Sequence, residues 1–298
     1  MKRIFASFIV TLVLNNLFAS PQLPDYIIYK NDTLPTYNLL VEKYLQSRVD
    51  EEGRLFGLSF RTLIEGELGA SLNCWRGYQA IYKIENDSIF VTAILPCYSF
   101  WDKSTNRTNY IKEIFGDKVK NNKVFIDWFT GTISFPLKSA DNIMLRWDGV
   151  FEKIFLYETL VKIKKGKIID IRNITNYVDL ENGIDRVKRD SMSNRLFEWI
   201  KQYKWKKLDK YDCSEAYTIE VGKNGKISNV VMTDYQTEDL IEEYWDSKKE
   251  YNFCIRSIKR ALSKLQFDII KRKGKPIKEN VYIEIFINED GTIENWTE

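Results

Sequence analysis

Histidine is absent from the 298-residue chain. Because imidazole is the side chain that carries protons near neutral pH, this absence excludes Ser-His-Asp and Cys-His catalysis in their usual forms. It also excludes zinc sites built on histidine ligands. The acid–base chemistry that stays open is that of paired carboxylates, as in glycoside hydrolysis, or of a lysine or tyrosine base.

Other binding patterns are missing too. The four cysteines are widely spaced and form no CxxC motif, so the usual thiolate zinc site is not predicted. Neither a GxGxxG fingerprint nor a Walker loop occurs in the sequence. We therefore predict no cofactor and no bound metal.

Charge of either sign is not in large excess. The chain has 45 Lys and Arg against 42 Asp and Glu, a net charge of +3 that becomes +1 without Lys2 and Arg3. Such a balance gives no reason to expect a nucleic-acid partner, which would require a basic stripe. The 44% apolar and 14% aromatic residues predict a folded chain.

The amino-terminal stretch MKRIFASFIVTLVLNNLFAS has the three-part layout of a secretory signal. Its apolar run of roughly 11 residues is shorter than the ~20 that span a bilayer, and no later run is long enough either. Cleavage after Ala19 fits best, which makes residues 1–19 a signal peptide; an uncleaved anchor is the alternative. We predict a periplasmic or secreted protein with no transmembrane segment after cleavage.

In an oxidising compartment, cysteine pairs are favoured over free thiols. The spacing predicts the disulfides Cys74–Cys97 and Cys213–Cys254, and the alternative is one or more buried free thiols. If the intervening chain folds about the Asn86-Asp87 turn, Cys97 becomes a diagonal neighbour of Cys74 on the same face. That bond therefore requires a twisted or bulged hairpin.

Hydrophobic periodicity predicts an α+β protein whose residues 20–178 form a β-rich domain. A short helix in LPTYNLLVEKYLQSR precedes a hairpin about ENDS, two strands about Trp128–Gly131 and a strand pair about Lys164-Lys165-Gly166. Residues 179–206 are predicted to be a helical connector, with a helix over about 181–200. The residues predicted for its apolar face are Val187, Met192, Leu196, Trp199 and Ile200.

The last part of the chain, 207–298, is predicted to form a small domain of antiparallel sheet with one packed helix. TIEVGKNGKISNV and EIFINEDGTIENW are each predicted to be hairpins, with Gly225 and Gly291 at turns that require positive φ. Between them lies a helix with Cys254, Ile258, Leu262 and Leu265 on its apolar side. Its basic side carries Arg256, Lys259, Arg260 and Lys264, for which we weigh a solvated face against contact with an acidic partner or with the acidic patch at 238–243.

This second half resembles the TonB C-terminal domain over about residues 207–298. The matching order is a strand–KNGKI–strand hairpin, the helix CIRSIKRALSKLQF, then KRKGKP and the strand VYIEIFI. FDII stands where that family usually has a proline soon after the aromatic at the helix end. The matching positions are Gly225, Ile227, Val230, Ala261, Leu265, Phe267, Gly274, Lys275, Pro276 and the strand 281–287.

The resemblance implies β-augmentation, in which an edge strand accepts an extended segment of an envelope or outer-membrane protein. The receiving strand would be 281–287, with Tyr282, Glu284 and Phe286 as partner-binding residues. The alternative is that TIENW folds back and occupies this edge. Energy transduction is not implied, because the chain has only six prolines and none between Pro136 and Pro276 to form a spacer.

The first half is similar to the front part of exported bacterial proteins whose role is unknown, and this likeness implies no activity. Within it, aromatic and polar residues in three short motifs form a candidate ligand groove. The alternative is that these aromatics fill a β core while the acids bond turn amides. The candidate groove residues are Trp75, Arg76, Tyr78, Asp127, Trp128 and Trp147.

These observations favour an exported, non-catalytic envelope protein that binds or scaffolds through its TonB-like domain. The rival hypothesis is a carboxylate-dependent glycan hydrolase or a carbohydrate-binding module in the first half. For the hydrolase, Asp127 would pair with Glu152 or Glu158, and the two carboxyl groups would have to face each other roughly 5–9 Å apart.

Overall fold

The computed structural model describes residues 21–46, 73–100, 108–206, 210–245 and 248–297. The protein is mixed α+β with more strand than helix, which confirms the predicted class. The predicted signal peptide, 1–19, lies outside the described residues. None of the helices in the described ranges combines the length and the hydrophobicity that a membrane crossing requires.

The chain divides into two compact units, Met1–Ile174 (the first unit) and Thr175–Glu298 (the second unit). The first unit contains the helices α1 (Leu40–Gln46) and α2 (Ile111–Phe115), the latter followed by a 3₁₀ turn at Gly116–Lys118. Its strands are β1 (Asp25–Tyr29), β2 (Asp32–Thr36), β3 (Tyr78–Glu85), β4 (Ser88–Pro96), β5 (Val124–Phe125), β6 (Gly131–Pro136), β7 (Met144–Trp147), β8 (Lys153–Phe155), β9 (Tyr157–Lys164) and β10 (Lys167–Thr175).

The main sheet of the first unit has the strand order β2-β1-β3-β4-β10-β9-β6, with β5 paired to β4 beside this path. β1 and β3 pair in parallel, whereas β7 and β8 form a separate hairpin. Apolar residues of α1, α2 and the sheet pack into one core. Its fully buried members include Ile27, Leu40, Val41, Tyr82, Ile94, Ile126 and Val161.

Two of the predicted hairpins are confirmed. β3 and β4 join at Asn86-Asp87, where both residues have positive φ, as a tight type I′ hairpin turn requires. β9 and β10 join in the same way at Lys165-Gly166. The two strands about Trp128–Gly131 also form, but they do not pair with each other, because β5 pairs with β4 and β6 pairs with β9.

The predicted disulfide Cys74–Cys97 is confirmed, with the two Cα atoms 6.2 Å apart. Cys74 precedes β3, and the chain bends there because the Gly77 amide donates to the Cys74 carbonyl oxygen at 3.0 Å. Gly77 has a φ of 77°, a conformation that glycine adopts without steric cost. This turn brings Cys74 to the end of β4, so the bond does not depend on cross-strand register alone.

The second unit contains α3 (Arg189–Gln202), α4 (Glu238–Tyr244) and α5 (Lys248–Ala261). Its strands form a four-stranded antiparallel sheet, β13-β12-β16-β17, and a small ribbon, β11-β14-β15. The strands are β11 (Tyr177–Val178), β12 (Glu215–Val221), β13 (Ile227–Met232), β14 (Ile269–Arg272), β15 (Lys275–Pro276), β16 (Glu279–Ile287) and β17 (Ile293–Asn295).

Helix α5 packs on one face of the four-stranded sheet, as its apolar spacing predicts. Cys254, Ile258, Leu262 and Leu265 are all buried in one core with alternate residues of β12 and β16. The disulfide Cys213–Cys254, with Cα atoms 5.4 Å apart, joins the start of β12 to this helix and is also confirmed. The core-facing strand residues are Tyr217, Ile219, Val221, Val281, Ile283 and Ile285.

Helix α3, in the segment predicted to be a connector, lies in this same core, so two helices pack on the sheet instead of one. The helix begins at Arg189, not near 181. Met192, Leu196 and Ile200 are buried because four-residue steps keep them on one face. Trp199, expected on that face, is 40% exposed, since its position lies about 100° around the helix from Ile200.

Strand β16 lies between β12 and β17, and the GKP motif before it begins at the turn of the β14–β15 hairpin and continues as β15. Lys273 and Gly274 have positive φ there. Ile285 pairs with Asn295 and Ile287 with Ile293, so the carboxy-terminal segment folds back on β16. Of the two alternatives for this strand, the structure has the self-paired one.

Gly225 and Gly291 allow a matched test of how the two predicted hairpins are packed. Both have φ near +80°, but a Cβ atom at Gly225 would lie 2.0 Å from the Phe267 carbonyl oxygen, whereas one at Gly291 would meet nothing within 4 Å. We expect Gly291→Ala to cost only the left-handed backbone penalty, about 1–2 kcal/mol. Gly225→Ala should cost about 3 kcal/mol, because overpacking is added.

Urea denaturation followed by circular dichroism measures both changes. Equal losses at the two positions would show that the β12–β13 turn does not press on the Phe267 backbone.

Candidate functional sites

A buried ion pair holds the turn that carries Trp75 in the first unit. Asp25 begins β1, and its carboxylate accepts from Arg76 Nη1 at 2.7 Å and from the Ala80 amide at 2.9 Å. Arg76 Nη2 also donates to the Leu23 carbonyl oxygen at 2.9 Å. Because Arg76 is almost fully buried and bonded in this way, its charge is neutralised inside the protein.

Two tyrosines extend this network toward α1. The Tyr82 hydroxyl donates to Asp25 at 2.8 Å, and the Tyr78 hydroxyl donates to the Glu42 carboxylate. Burial, together with the nearby carboxylates, raises the pKa of both Tyr78 and Tyr82 well above the usual range. Both hydroxyls therefore stay protonated and act as donors.

A small apolar pocket lies beside this network. It has a volume of about 200 Å³ and is lined by Gln22, Leu39, Trp75, Arg76, Asp148, Val150 and Phe151. Trp75 is 39% exposed at its rim, whereas the Arg76 guanidinium lies 5.5 Å from the centre of the Phe151 ring. The pocket walls are thus aromatic and aliphatic, and the Arg76 charge beside them is already paired with Asp25.

Asp148 and Trp147 belong to the loop that shapes this pocket. The Asp148 carboxylate accepts from the Val150 and Phe151 amides at 2.9 and 2.7 Å, which places the Phe151 ring. Asp148 therefore bonds turn amides, as predicted by the alternative in which the acids of these motifs stabilise turns. Trp147 is half-buried in β7 outside the pocket lining, and its buried indole N–H has no hydrogen-bond partner among the residues that the structure describes.

Asp127 and Trp128 lie elsewhere in the first unit. The Trp128 ring packs against Tyr44 and Phe115, with ring centres 4.6 and 5.5 Å apart, and its N–H donates to the Leu40 carbonyl oxygen. Asp127 is exposed and forms an ion pair with Lys118 at 3.7 Å. Of the six predicted groove residues, the structure thus brings Trp75 and Arg76 together in one pocket, with Tyr78 bonded behind them.

The proposed carboxylate pair of a hydrolase is not brought together. Asp127 precedes Gly131, which pairs with Ile163, while Glu158 lies opposite Pro136 at the other end of β6. Five strand residues separate these ends by roughly 17 Å, well beyond the reach needed for a glycosidase. Glu158 is also buried and accepts from the Phe155 amide. Glu152 lies at the turn of the β7–β8 hairpin, where its carbonyl oxygen accepts from the Asp148 amide at 3.1 Å.

In the second unit, the predicted partner-binding residues lie on the sheet face that points away from the helices. Tyr282, Glu284 and Phe286 point there because the alternate residues of β16 point into the core. Phe286 stacks on Trp296 with ring centres 4.5 Å apart. Tyr282 is 43% and Trp296 49% exposed, and the Tyr282 hydroxyl donates to Glu284 at 2.8 Å. We call Tyr282, Glu284, Phe286 and Trp296 the open aromatic face.

The outer edge of β16 beside this face is occupied by the chain itself. The Trp296 amide donates to the Glu284 carbonyl oxygen at 2.9 Å, and the Glu284 amide donates to the Thr297 hydroxyl at 2.8 Å. At the opposite side of the sheet, β13 has a single neighbour, β12, among the described strands. Among the described strands, β13 and β17 are therefore the edge strands of this sheet, whereas β16, which holds the predicted receiving segment 281–287, is an inner strand.

Sequence reasoning missed Asp25, Phe151 and Trp296. Asp25 is about 50 residues from Arg76, and no local pattern relates the two. Trp296 had a usable signal, since the predicted EIFINEDGTIENW hairpin places it on the same sheet face as Phe286. Within the described ranges, no group of three or more Cys, Asp or Glu side chains is arranged to hold a metal ion.

No protein-family model, curated protein or solved structure matches the chain.

The buried ion pair predicts that alanine substitution at two aspartates of the first unit will lower the stability of the protein by very different amounts. Asp25→Ala would leave Arg76 buried without its counter-charge, and such losses cost about 3–5 kcal/mol. Asp32, paired with Lys138 at the surface, is the matched control. Asp32→Ala should leave the urea midpoint nearly unchanged, because exposed pairs contribute little. A small effect of Asp25→Ala would mean that Arg76 finds water or another partner.

Proposed function

We propose that the protein is exported and binds another protein through its second unit, without catalysing a reaction. Two disulfides among four cysteines are what an oxidising compartment favours. The order of helix α5, the GKP segment and the alternating strand β16 is the order that the resemblance to TonB C-terminal domains implies, and α3 packs on the same sheet in addition. Export through the signal at 1–19 remains part of this proposal.

The observation that carries this proposal is the open aromatic face. Monomeric proteins bury most of their large aromatic side chains, and exposed aromatic clusters mark interaction sites. Here α3 and α5 pack on one side of the four-stranded sheet, so Tyr282, Phe286 and Trp296 lie at the surface of the other side. Glu284 adds a charge that can set the orientation of a partner.

The mode of binding differs from the one that the resemblance implies. β17 already pairs with the outer edge of β16, so an added strand would have to displace it. We propose instead that an apolar segment of an envelope protein lies across the open aromatic face. Energy transduction across the envelope is not part of the proposal.

Site-specific photocrosslinking in intact cells tests this proposal. A photoreactive phenylalanine analogue at Tyr282 should trap one discrete protein adduct. The same group at Tyr244, an exposed tyrosine on α4, is the matched control and should trap none. Trp296→Ser should lower the adduct yield at Tyr282 about tenfold, as losing ~1.4 kcal/mol of binding does, whereas Trp199→Ser should not.

Equal adducts at Tyr282 and Tyr244, or none at Tyr282, would contradict protein binding at this face. Circular dichroism of the Trp296 and Trp199 variants checks that both keep the fold.

A second candidate function is binding of a neutral sugar ring in the pocket of the first unit. It is favoured by Trp75, which stands half-exposed over Leu39, Val150 and Phe151. Aromatic walls with few polar groups suit the apolar face of a sugar. The hydrolase is not proposed, because its candidate carboxylates lie at opposite ends of β6.

Tryptophan fluorescence with cellotetraose and chitotetraose tests the sugar pocket. Binding should quench or shift the emission, and Trp75→Ala should abolish the response. Trp199→Ala, which removes another half-exposed tryptophan, should keep it. A response that persists in Trp75→Ala would place sugar binding elsewhere.

A further inference from the structure

A second, chemically different groove lies on the helical side of the second unit. It has a volume of about 240 Å³ and runs between the end of α3 and the flank of α5. Its lining residues are Tyr203, Lys206, Phe253, Arg256, Ser257 and Arg260. Three of the six are cations and none is an acid.

The cations of this groove lie at the surface without an ion-pair partner in the described parts of the chain. Lys206, Arg256 and Arg260 are exposed, and no carboxylate among the described residues pairs with any of them. Two acids of α4, Glu238 and Glu242, are paired with Lys248 at 2.6 and 2.8 Å and not with these cations. The groove thus carries three positive charges for which the described residues supply no counter-charge.

Helical spacing places the two arginines to act together. Arg256 and Ser257 lie three and four residues after Phe253, and Arg260 lies four and three residues after them, so the four residues form a single stripe along α5. Arg256 and Arg260, one turn apart, have Cβ atoms about 5–6 Å from each other. Two guanidinium groups at this separation can both donate to one carboxylate or phosphate.

The walls of the groove are held in place before any ligand arrives. The Tyr203 amide and the Trp205 indole both donate to the Ile200 carbonyl oxygen, which fixes the chain at the end of α3. The Tyr203 and Trp205 rings are in edge contact, 5.6 Å apart. On the other side, the disulfide at Cys254 anchors α5 next to Phe253. A preformed groove loses less entropy on binding.

We propose that this groove binds a small ligand that carries an oxyanion on a ring-sized body, such as a sugar acid or a sugar phosphate. The charge of the lining selects an anion, and Tyr203 and Phe253 give apolar contact for the ring. The volume is below the range usual for larger ligands, so one ring is the size that fits. Either a carboxylate group or a phosphate group of the ligand can supply the oxyanion.

Saturation-transfer NMR at low ionic strength tests the proposal, with the exported full-length chain carrying Trp75→Ala so that the candidate sugar pocket of the first unit does not contribute. Glucuronate and glucose 6-phosphate are the anionic probes, and glucose is the neutral control of the same shape. At least one anion should bind with a dissociation constant in the range up to about 10 mM, and glucose should bind at least tenfold more weakly. The stronger of the two anions identifies carboxylate or phosphate as the preferred group.

Paired substitutions locate the binding. The Arg256→Gln, Arg260→Gln double variant should weaken anion binding about 10- to 100-fold, since two charge-assisted hydrogen bonds are lost. The Lys259→Gln, Lys264→Gln double variant removes the same charge from neighbouring exposed positions outside the groove and should change binding less than about twofold. Lys206→Gln alone should show an intermediate loss.

Three results would overturn the proposal. These are no binding of either anion, equal binding of glucose, or an equal loss in the two double variants, which would indicate a general charge effect. None of them bears on the open aromatic face, because that face lies on the other side of the sheet.

Discussion

The packing of α5 on the inner face of the four-stranded sheet is the interaction on which the second unit depends. Its apolar stripe, its disulfide to the start of β12 and the alternate residues of β12 and β16 all meet in one core. Since α3 packs in that core as well, both helices lie on the same side, and the opposite side of the sheet keeps its aromatic side chains at the surface. The cationic flank of α5 follows from the same geometry, because a helix that buries one stripe must present the others. Both proposed surfaces are therefore consequences of one packing arrangement.

The first unit depends on a polar interaction instead. Asp25 and Arg76 are buried together, with Tyr82 and main-chain groups completing their hydrogen bonds. Such a pair contributes little net stability compared with apolar packing, but it is costly to break from one side. It holds the Trp75 turn against β1, next to the disulfide Cys74–Cys97. A pocket beside so fully bonded a network keeps its shape, which is what recognition of a rigid ring requires.

Several features were predictable because they depend on neighbours in the chain. Turn residues such as Asn86-Asp87 and Lys165-Gly166 specify their hairpins locally, and the i, i+4 spacing about Cys254 specifies the buried face of α5. Prediction failed where the partner is distant. β5 and β6 are adjacent in sequence yet pair with different strands. The segment of α3 predicts only a helical connector, because its own pattern does not show that the helix packs in the core of the second unit. Of the six groove candidates, Asp127, Trp128 and Trp147 do not line the pocket that holds Trp75 and Arg76, since composition does not reveal which residues meet in space.

By itself, the sequence determined the α+β class, the main hairpins and the exclusion of histidine chemistry, because each rests on residue type or short-range spacing, and it favoured both disulfide pairings over free thiols. Only the tertiary structure decided which edge of the sheet is covered, which charges are paired and which aromatics share a surface. The reason is physical: burial and ion pairing depend on distances between residues far apart in the chain, and many long-range arrangements are compatible with one local pattern. β17 covering β16, Asp25 neutralising Arg76 and Lys248 taking the acids of α4 are three such outcomes.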